Sequence, residues 1–299
     1  MEQKLHVVFV SETARGYLWG FIGVAIFSLT LPFSHIAVKE FEPLFISIGR
    51  TVLAACFAAP ILFLSRQPWP DLADLKQLFF IVLGVIFGFP ILSTIAMKTA
   101  PASHGSVVLA LLPLGTAFMS TIFAGERPSI AFWAWSVLGS AAVVVYALWD
   151  GGVSLHGADS LLVLAVIAAS MGYAAGGNLA RKLGGWQVIC WALIVALPLT
   201  LPLTIYFAQG ITGRESVQGW LCFVYLALMS QLVGFFAWNK GLATGGVARV
   251  GQVQLLQTFL TQLAAWGLMG EALTLRSMAF ACVVATCVWF GRRTQIKKA

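Results

Sequence analysis

The sequence predicts an all-α integral membrane protein, with ten transmembrane helices arranged as two inverted five-helix repeats. Three observations lead to this fold class: the composition, the number of long apolar segments, and a motif shared by the two halves. Of the 299 residues, 60% are hydrophobic and only 10% are charged, and the mean hydropathy is +0.90. A soluble domain carries about 25% charged residues. The composition therefore suits a surface that faces lipid rather than water.

Ten apolar segments are each long enough to cross a bilayer as a helix, which takes about 20 residues. The division between the third and fourth segments rests on the turn signals Lys98, Pro101 and Ser103. The first segment has no small-residue cleavage site after it, so we expect a membrane helix there and not a signal peptide. The predicted spans are residues 16–38, 42–65, 75–99, 100–124, 130–149, 159–182, 186–209, 216–241, 245–269 and 274–293.

The distribution of basic residues predicts the orientation of the chain. If the N-terminus is cytoplasmic, the 18 Lys and Arg residues divide into 13 in the inner half and five in the outer half. Basic residues concentrate in the short cytoplasmic loops of membrane proteins. We therefore expect both termini in the cytoplasm, which requires an even number of spans and agrees with ten. The loops are too short to hold a soluble domain, so function is expected within the bundle.

The two halves share a motif at a constant spacing. A Gly-Glu pair ends both the fourth span, at Glu126, and the ninth span, at Glu271, which is an offset of 145 residues. The sequence thus predicts two five-helix units, residues 1–149 and 150–299. Because each unit has an odd number of spans, the second enters the membrane from the opposite side, as in many secondary transporters. A duplicated bundle that transports nothing is the alternative.

The Gly-Glu pairs and the segment Ile48-Gly49-Arg50-Thr51 resemble the drug/metabolite transporter superfamily, and within it the EamA-type exporters. The likeness covers nearly the whole chain, although the seventh span carries no arginine equivalent to Arg50. Members of that family move amino acids, nucleotide-sugar-like solutes, drugs and other metabolites. The resemblance therefore implies transport of a small organic solute without fixing which solute is moved.

Enzymatic activity, cofactors and metal sites find no support in the sequence. The four histidines are scattered, the HExxH and GxSxG motifs are absent, and no cysteines have metal-ligand spacing. All eleven carboxylates lie at span ends or in loops, which argues against an intramembrane aspartyl enzyme. The net charge of +7 comes from basic residues at span ends, not from a basic face, so nucleic-acid binding is not expected. We predict no catalytic residue, no cofactor and no metal.

The ninth span is the richest in polar residues. Gln254, Thr258 and Thr261 recur at helical spacing, and Gln257 lies beside them. An unpaired polar group in hydrocarbon costs several kcal/mol, so this stripe must face the bundle interior or a wet cavity. We interpret Gln254, Gln257 and Thr258 as substrate-binding residues. Interhelical hydrogen bonding, worth about 0.6 kcal/mol per contact, is the alternative.

Other spans offer fewer polar groups at a similar depth. The hypothesis of a central cavity adds Thr30 of the first span, Tyr173 of the sixth and Gln231 of the eighth to the substrate-binding residues. A single hydroxyl is tolerated anywhere in a membrane helix, because it can bond to the backbone of its own turn. Packing without a role in binding therefore stays open for each of these residues.

Three residues are predicted to act in gating or coupling. Arg50 is a full charge several residues into the second span, and it either reaches the outer headgroups or serves an outer gate, where it can meet a substrate carboxylate. His35 and His104 lie in the outer third of their spans and are the candidates for titration, although hydrogen-bonded packing is the alternative. Since no acid is predicted at mid-membrane, exchange and facilitated diffusion stay open beside proton antiport.

Together these observations predict a secondary transporter of the inner membrane that works by alternating access. Export of amino acids or related metabolites is the leading hypothesis. An uptake carrier or exchanger for another metabolite or drug, and a membrane-embedded scaffold subunit, are the alternatives. The expected partners are a small-molecule solute and the lipid bilayer, and the chain is expected to be a monomer or a weak homodimer.

Overall fold

The computed structural model of the protein describes residues 12–149, 157–269, 275–291, 293–294 and 296–298. Most of these residues are helical, and the helices pack against one another in a bundle. The α-helices are α1 (Glu12–Phe27), α2 (Thr30–Ala37), α3 (Pro43–Leu64), α4 (Leu72–Ile81), α5 (Phe89–Ala96), α6 (Ala102–Val108), α7 (Leu112–Phe123), α8 (Ile130–Trp149), α9 (Gly157–Leu183), α10 (Gly185–Phe207), α11 (Val217–Val224), α12 (Gly234–Gly245), α13 (Val247–Gly251), α14 (Gln257–Met269) and α15 (Leu275–Gly291).

Each of the ten predicted spans coincides with one helix or with a run of consecutive helices, and the ends agree within four residues. Within the described residues, six runs are long and apolar enough to cross a membrane, and shorter apolar helices lie in the fourth, fifth and tenth predicted spans. The chain is therefore a multi-pass helical membrane protein, and the number of ten crossings stays a prediction. The six long runs are Glu12–Ala37, Pro43–Leu64, Leu72–Ala96, Ala158–Leu183, Gly185–Gly210 and Val217–Gly245.

Local sequence signals explain where several helices begin. Glu42 precedes α3, and its carboxylate accepts hydrogen bonds from the amides of Leu44, at 3.0 Å, and Phe45, at 3.2 Å. Asp71 and Asp74 form a reciprocal capping box at the start of α4. These carboxylates satisfy amide groups that a helix cannot satisfy from its own carbonyls.

Two spans contain long π-helical segments at related positions. The first π-helix is Val82–Gly88, between α4 and α5, and the second is Tyr225–Val233, between α11 and α12. An offset of 145 residues carries the first segment onto residues 227–233 of the second. π-Helices are rare and are found mostly at functional sites. Their recurrence gives both halves a local irregularity at equivalent positions in the sequence.

The fourth and ninth predicted spans share a different irregularity. A 3₁₀ turn, Leu109–Leu111, separates α6 from α7, and a second one, Gln252–Leu256, separates α13 from α14. The same offset carries the first turn onto residues 254–256 of the second. The predicted boundary near residue 150 and the Gly-Glu pair at Glu271 lie outside the described residues.

A seam of glycines joins α1 to α12. A Cβ atom added to Gly16 would lie 2.5 Å from the Cα atom of Gly245, and one added to Gly241 would lie 2.6 Å from the amide nitrogen of Gly20. No side chain fits at these distances, so glycine allows the two backbones to pack directly against each other. The seam ties the first span to the eighth.

The described residues are mostly helical, as predicted, but they also include one short two-stranded sheet that the sequence analysis did not predict. Strand β1 (Glu126–Pro128) pairs antiparallel with β2 (Ile296–Lys298), so that Glu126 lies opposite Lys298. Strands of three residues are too short to show an alternating pattern, and the partners are far apart in the sequence. The pairing holds residues 296–298 beside the connection between α7 and α8.

Candidate substrate cavity

A small internal cavity lies where helices of both halves meet. The space that a water-sized sphere can enter is about 10 Å³, which is close to the room that one water molecule needs. The cavity is therefore closed to any organic solute in this conformation. Its wall combines polar groups with aromatic rings, and we call it the central cavity. Its lining residues are Phe27, Thr30, Arg50, Val85, Phe89, Tyr173, Ser230, Gln231, Phe235 and Gln257.

Arg50 carries a buried charge into the central cavity. It is the eighth residue of α3, about two turns from the helix start, and only 2% of its surface is exposed. Its Nε and Nη1 atoms are buried and have no hydrogen-bond partner among the described residues. A buried guanidinium without an anion is expensive. The side chain is buried within the bundle, so its position favours an anionic partner there.

Gln231 is held by a backbone carbonyl that the first π-helix leaves free. The amide of Phe89 donates to Gly84 O, five residues back. The following residue is Pro90, which has no N–H to give to the carbonyl of Val85. Gln231 Nε2 donates to that carbonyl instead, at 3.1 Å. The orientation of the Gln231 amide thus follows from Pro90 and from the π-helical geometry.

The held amide leaves an acceptor on the cavity wall. Gln231 Oε1 is buried and has no hydrogen-bond partner among the described residues. Gln257, at the start of α14, is 5% exposed and lines the same cavity, and its Oε1 atom is equally without a partner there. The central cavity therefore combines unpaired donors on a cation with two unpaired amide acceptors. A buried polar group that lacks a partner calls for an explanation, and a ligand is one.

The rest of the ninth-span stripe is engaged in contacts between helices. Thr258 Oγ1 donates to Ser106 O at 3.0 Å, and Thr261 Oγ1 donates to Ser28 O at 2.9 Å. Gln254 Oε1 accepts from Thr116 Oγ1 at 3.4 Å, while Gln254 Nε2 is buried without a partner among the described residues. All of these ninth-span side chains are at most 1% exposed. The structure thus places Gln257 on the cavity wall, and Gln254 and Thr258 beside it in the packing.

The remaining predicted substrate residues also lie on the cavity wall. Thr30 Oγ1 and Ser230 Oγ are 2.8 Å apart and share a hydrogen bond. The ring of Tyr173 is stacked on Phe27, with centroids 6.4 Å apart, and is tilted against Phe235 at 5.9 Å. These rings give one side of the cavity an aromatic surface, which suits an apolar group of a solute.

Comparison with known proteins agrees with this architecture. The model of the EamA-like transporter family matches residues 14–148 and again residues 156–290. The chain belongs to the EamA-like transporter family. The two matches give this family member two repeats, and together they cover both π-helices and every residue of the central cavity.

Two relatives and one solved structure are similar to this chain over most of its length. It is 40% identical to the uncharacterized transporter YdeK of Bacillus subtilis (strain 168) over 284 residues, which cover 95% of this chain and 99% of that one. It is 25% identical to the aromatic amino acid exporter YddG of Ancylobacter novellus over 246 residues, 79% of this chain and 80% of that one. A crystal structure of a protein with 20% identity has the same fold, with a TM-score of 0.72 over 93% of this chain and 98% of that one.

The predicted gating and coupling residues of this EamA-like chain lie in different places. Arg50 lines the central cavity and is buried. His35 is half-buried, and its Nδ1 atom is 3.1 Å from Met97 O, outside the cavity. The side chain of His104 lies outside the described residues.

Sequence reasoning missed the apolar part of the cavity. Phe27, Phe89 and Phe235 form much of the wall, and the carbonyl of Val85 orients Gln231. An aromatic residue inside an apolar span carries no sequence signal that separates a cavity wall from the core. Pro90 was the usable signal, because a proline in a helix predicts a free carbonyl about one turn earlier.

Proposed function

We propose that this EamA-like transporter exports amino acids with apolar or aromatic side chains across the inner membrane. The observation that carries the proposal is the buried guanidinium of Arg50, whose Nε and Nη1 atoms have no hydrogen-bond partner among the described residues. A substrate carboxylate is the natural anion for it, since charge-assisted hydrogen bonds are the strongest that a buried arginine forms.

The other polar atoms on the wall favour a zwitterion over a simple carboxylate. Gln231 and Gln257 each present an amide oxygen that lacks a donor among the described residues. An ammonium group brings three donors and no acceptor. Phe27 and Phe235 offer an aromatic surface for the side chain. A carboxylate, an ammonium group and an apolar side chain together make up an amino acid of this class. The relative YddG is named an aromatic amino acid exporter.

Alternating access fits the closed state of the cavity. A space of about 10 Å³ has no room for an amino acid, so binding requires the helices around it to separate. We propose that the two repeats, residues 1–149 and 150–299, are inverted with respect to each other, and that their exchange opens the cavity to either side. The shared π-helices and 3₁₀ turns support equivalent halves.

We further propose that both termini lie in the cytoplasm, on the basis of the distribution of Lys and Arg.

A monomer is the expected working unit, because one chain supplies the whole wall of the cavity. No Asp, Glu or His belongs to that wall as described, so we favour exchange or facilitated diffusion over proton antiport. The second candidate function is uptake or exchange of another metabolite that bears a carboxylate. The charge of Arg50 supports this candidate, because any carboxylate could pair with it.

The test is a counterflow assay in liposomes that contain the purified protein. Labelled phenylalanine and leucine should exchange against unlabelled amino acid in the lumen, and a pH gradient should leave the rate unchanged. Simple carboxylates and amines of the same size should exchange at least about tenfold more slowly, the factor that corresponds to one hydrogen bond to a charged group. Absence of exchange for every amino acid in a panel would overturn the proposed substrate class.

A further inference from the structure

A carboxylate of the first repeat is bound to the second repeat at each end of the bundle. Glu126 follows α7 in the first repeat and is 2% exposed. Its Oε1 atom accepts from the amide of Val247 at 2.9 Å and from Arg181 Nη2 at 2.7 Å, and its Oε2 atom accepts from the amide of Ala248 at 2.7 Å. All three donors belong to the second repeat.

The second carboxylate is Glu40, in the connection between α2 and α3. Its Oε2 atom accepts from the amide of Ser216 at 2.6 Å, and its Oε1 atom accepts from the hydroxyl of Ser216 at 2.5 Å. A Cβ atom added to Gly219 would lie 2.6 Å from Glu40 Oε2. Glycine at that position therefore lets the carboxylate approach. Ser216 and Gly219 belong to the second repeat, and Glu40 belongs to the first.

The two contacts lie at opposite ends of the bundle. Glu126 shares a surface cavity of about 180 Å³ with Thr13, near the start of α1. Glu40 lies just after α2 ends at Ala37. The helical run Glu12–Ala37 has 26 residues, which corresponds to about 39 Å at about 1.5 Å per residue. Neither carboxylate lines the central cavity, which lies between them.

We propose that Glu126 and Glu40 are the two gate latches of the transport cycle, and that each is released when the bundle opens at its own end. The proposal rests on the proposed alternating-access function. The wall of the central cavity takes Arg50 from the first repeat and Gln231 and Gln257 from the second. A solute therefore enters only where elements of the two repeats separate at one end. With both latches bound, the cavity is closed at both ends.

The coupling between the latches follows from the arrangement of the repeats. If the repeats rock about the central cavity, their separation at one end brings them closer at the other. Release of the Glu126 latch should then tighten the Glu40 latch, and the reverse should also hold. A carboxylate that only caps a local turn would not change the other end of the bundle. The decisive measurement is therefore the change at the latch that was not mutated.

The experiment is hydrogen–deuterium exchange, followed by mass spectrometry, on the full-length protein in lipid nanodiscs. Glu126→Gln keeps the size of the side chain and weakens three charge-assisted hydrogen bonds. Exchange in the peptide covering 245–251 should rise about tenfold, and exchange in the peptide covering 214–220 should fall. Glu40→Gln should produce the opposite pattern. Gly219→Ala, which crowds Glu40 without changing the acid, should behave like Glu40→Gln.

Asp71→Asn is the matched control at the same end as Glu126. Asp71 pairs with Lys182, the neighbour of Arg181, at 2.7 Å, but both side chains are more than half exposed. This variant should leave exchange at 214–220 unchanged. If Glu126→Gln does not fold, Arg181→Gln tests the same latch with the acid in place.

Two results would overturn the proposal. Faster exchange at both ends would mean that the carboxylates only stabilise the fold. Faster exchange at the mutated end, with no change at the other, would mean that the two contacts are independent. Both results leave the substrate class to the counterflow assay. Conversely, the counterflow assay could show no amino acid transport while hydrogen–deuterium exchange still rises at one end and falls at the other. That combination would support the latches and contradict only the proposed substrate.

Discussion

Two buried charges of this EamA-like transporter have opposite surroundings. Arg50 and Glu126 are each 2% exposed. Glu126 accepts three hydrogen bonds, one of them from Arg181. Arg50 has no partner for Nε or Nη1 among the described residues, although it lines a cavity. A buried charge whose hydrogen bonds are all formed within the fold ties parts of the structure together. A buried charge without them costs stability, and that cost is understandable where a ligand supplies the missing partner.

The same contrast appears within the polar stripe of the ninth span. Thr258 and Thr261 donate to backbone carbonyls in other spans, whereas Gln257 keeps an unpaired oxygen on the cavity wall. The stripe therefore serves both packing and, in our proposal, binding. Whether a residue serves packing or binding depends on the groups that it faces. Variants of packing residues and of binding residues should therefore behave differently.

The largest contrast is expected between Arg50→Met and Arg181→Met. Arg50→Met should reduce amino acid exchange by about 100-fold or more, since two hydrogen bonds to a charged group are each worth about 1.5–3 kcal/mol. Its melting temperature in detergent should stay the same or rise, because an unpaired buried charge is removed. Arg181→Met should lower the melting temperature, because Glu126 loses its charge partner. A lower melting temperature for Arg50→Met would place Arg50 among the structural charges.

A smaller contrast is expected between Gln257→Leu and Thr258→Val. Gln257→Leu keeps the bulk and removes an amide that has no internal partner for its oxygen. Counterflow should fall about tenfold, the value of one hydrogen bond to a charged group. Expression should stay normal, because leucine needs no partner in a bilayer. Thr258→Val should keep its transport rate and lose about 0.6 kcal/mol of stability, the value of one interhelical hydrogen bond. Equal transport in the two variants would remove Gln257 from the site.

The orientation of Gln231 gives a third contrast, between Pro90→Ala and Pro60→Ala. Alanine at position 90 restores an N–H that competes with Gln231 Nε2 for the carbonyl of Val85. The apparent affinity for the solute should weaken about threefold to tenfold, the range for one neutral hydrogen bond. Pro60 lies on the exposed side of α3, and its replacement should leave the affinity unchanged. Affinity is read from the concentration dependence of counterflow.

The smallest effect is expected for an exposed carboxylate. The hydrogen bond from Lys182 lowers the pKa of Asp71 below its ordinary value of 3.8. The stabilisation is therefore present above the ordinary value and is lost as the pH falls through the lowered pKa. Asp71→Asn should lower the melting temperature at pH 7 by only about 1 °C, because water screens the pair. The difference in melting temperature between wild type and variant should vanish at the lowest pH the protein tolerates. A difference that grows as the pH falls would contradict this pH dependence.

Much of the fold could be predicted from the sequence. The membrane helices follow from the lengths of the apolar segments and from breakers such as Pro101, and their ends agree within four residues. The family was confirmed through two matches along the chain. The strands at Glu126–Pro128 and Ile296–Lys298 were missed, because a three-residue pairing over such a separation leaves no local pattern. The number of membrane crossings and the orientation of the chain stay predictions.

The site could be predicted only in part, for a physical reason. Helical spacing shows which residues share a face, but it does not show what that face meets. The sequence therefore selected Gln257 and Thr258 together, although the first lines the central cavity and the second bonds to Ser106. It selected Arg50 as a charge in a span, but its depth inside the bundle depends on packing by other helices.

The central claim is that Arg50 binds the carboxylate of an amino acid in the central cavity. Isothermal titration calorimetry of the purified protein with phenylalanine, phenethylamine and phenylpropionate tests this claim most directly, because the three ligands differ only in their charged groups. Wild type should bind phenylalanine at least about tenfold more tightly than either analogue. In Arg50→Met the preference for phenylalanine over phenethylamine should disappear. Equal binding of phenethylamine and phenylalanine to wild type, or an unchanged preference in Arg50→Met, would contradict the claim.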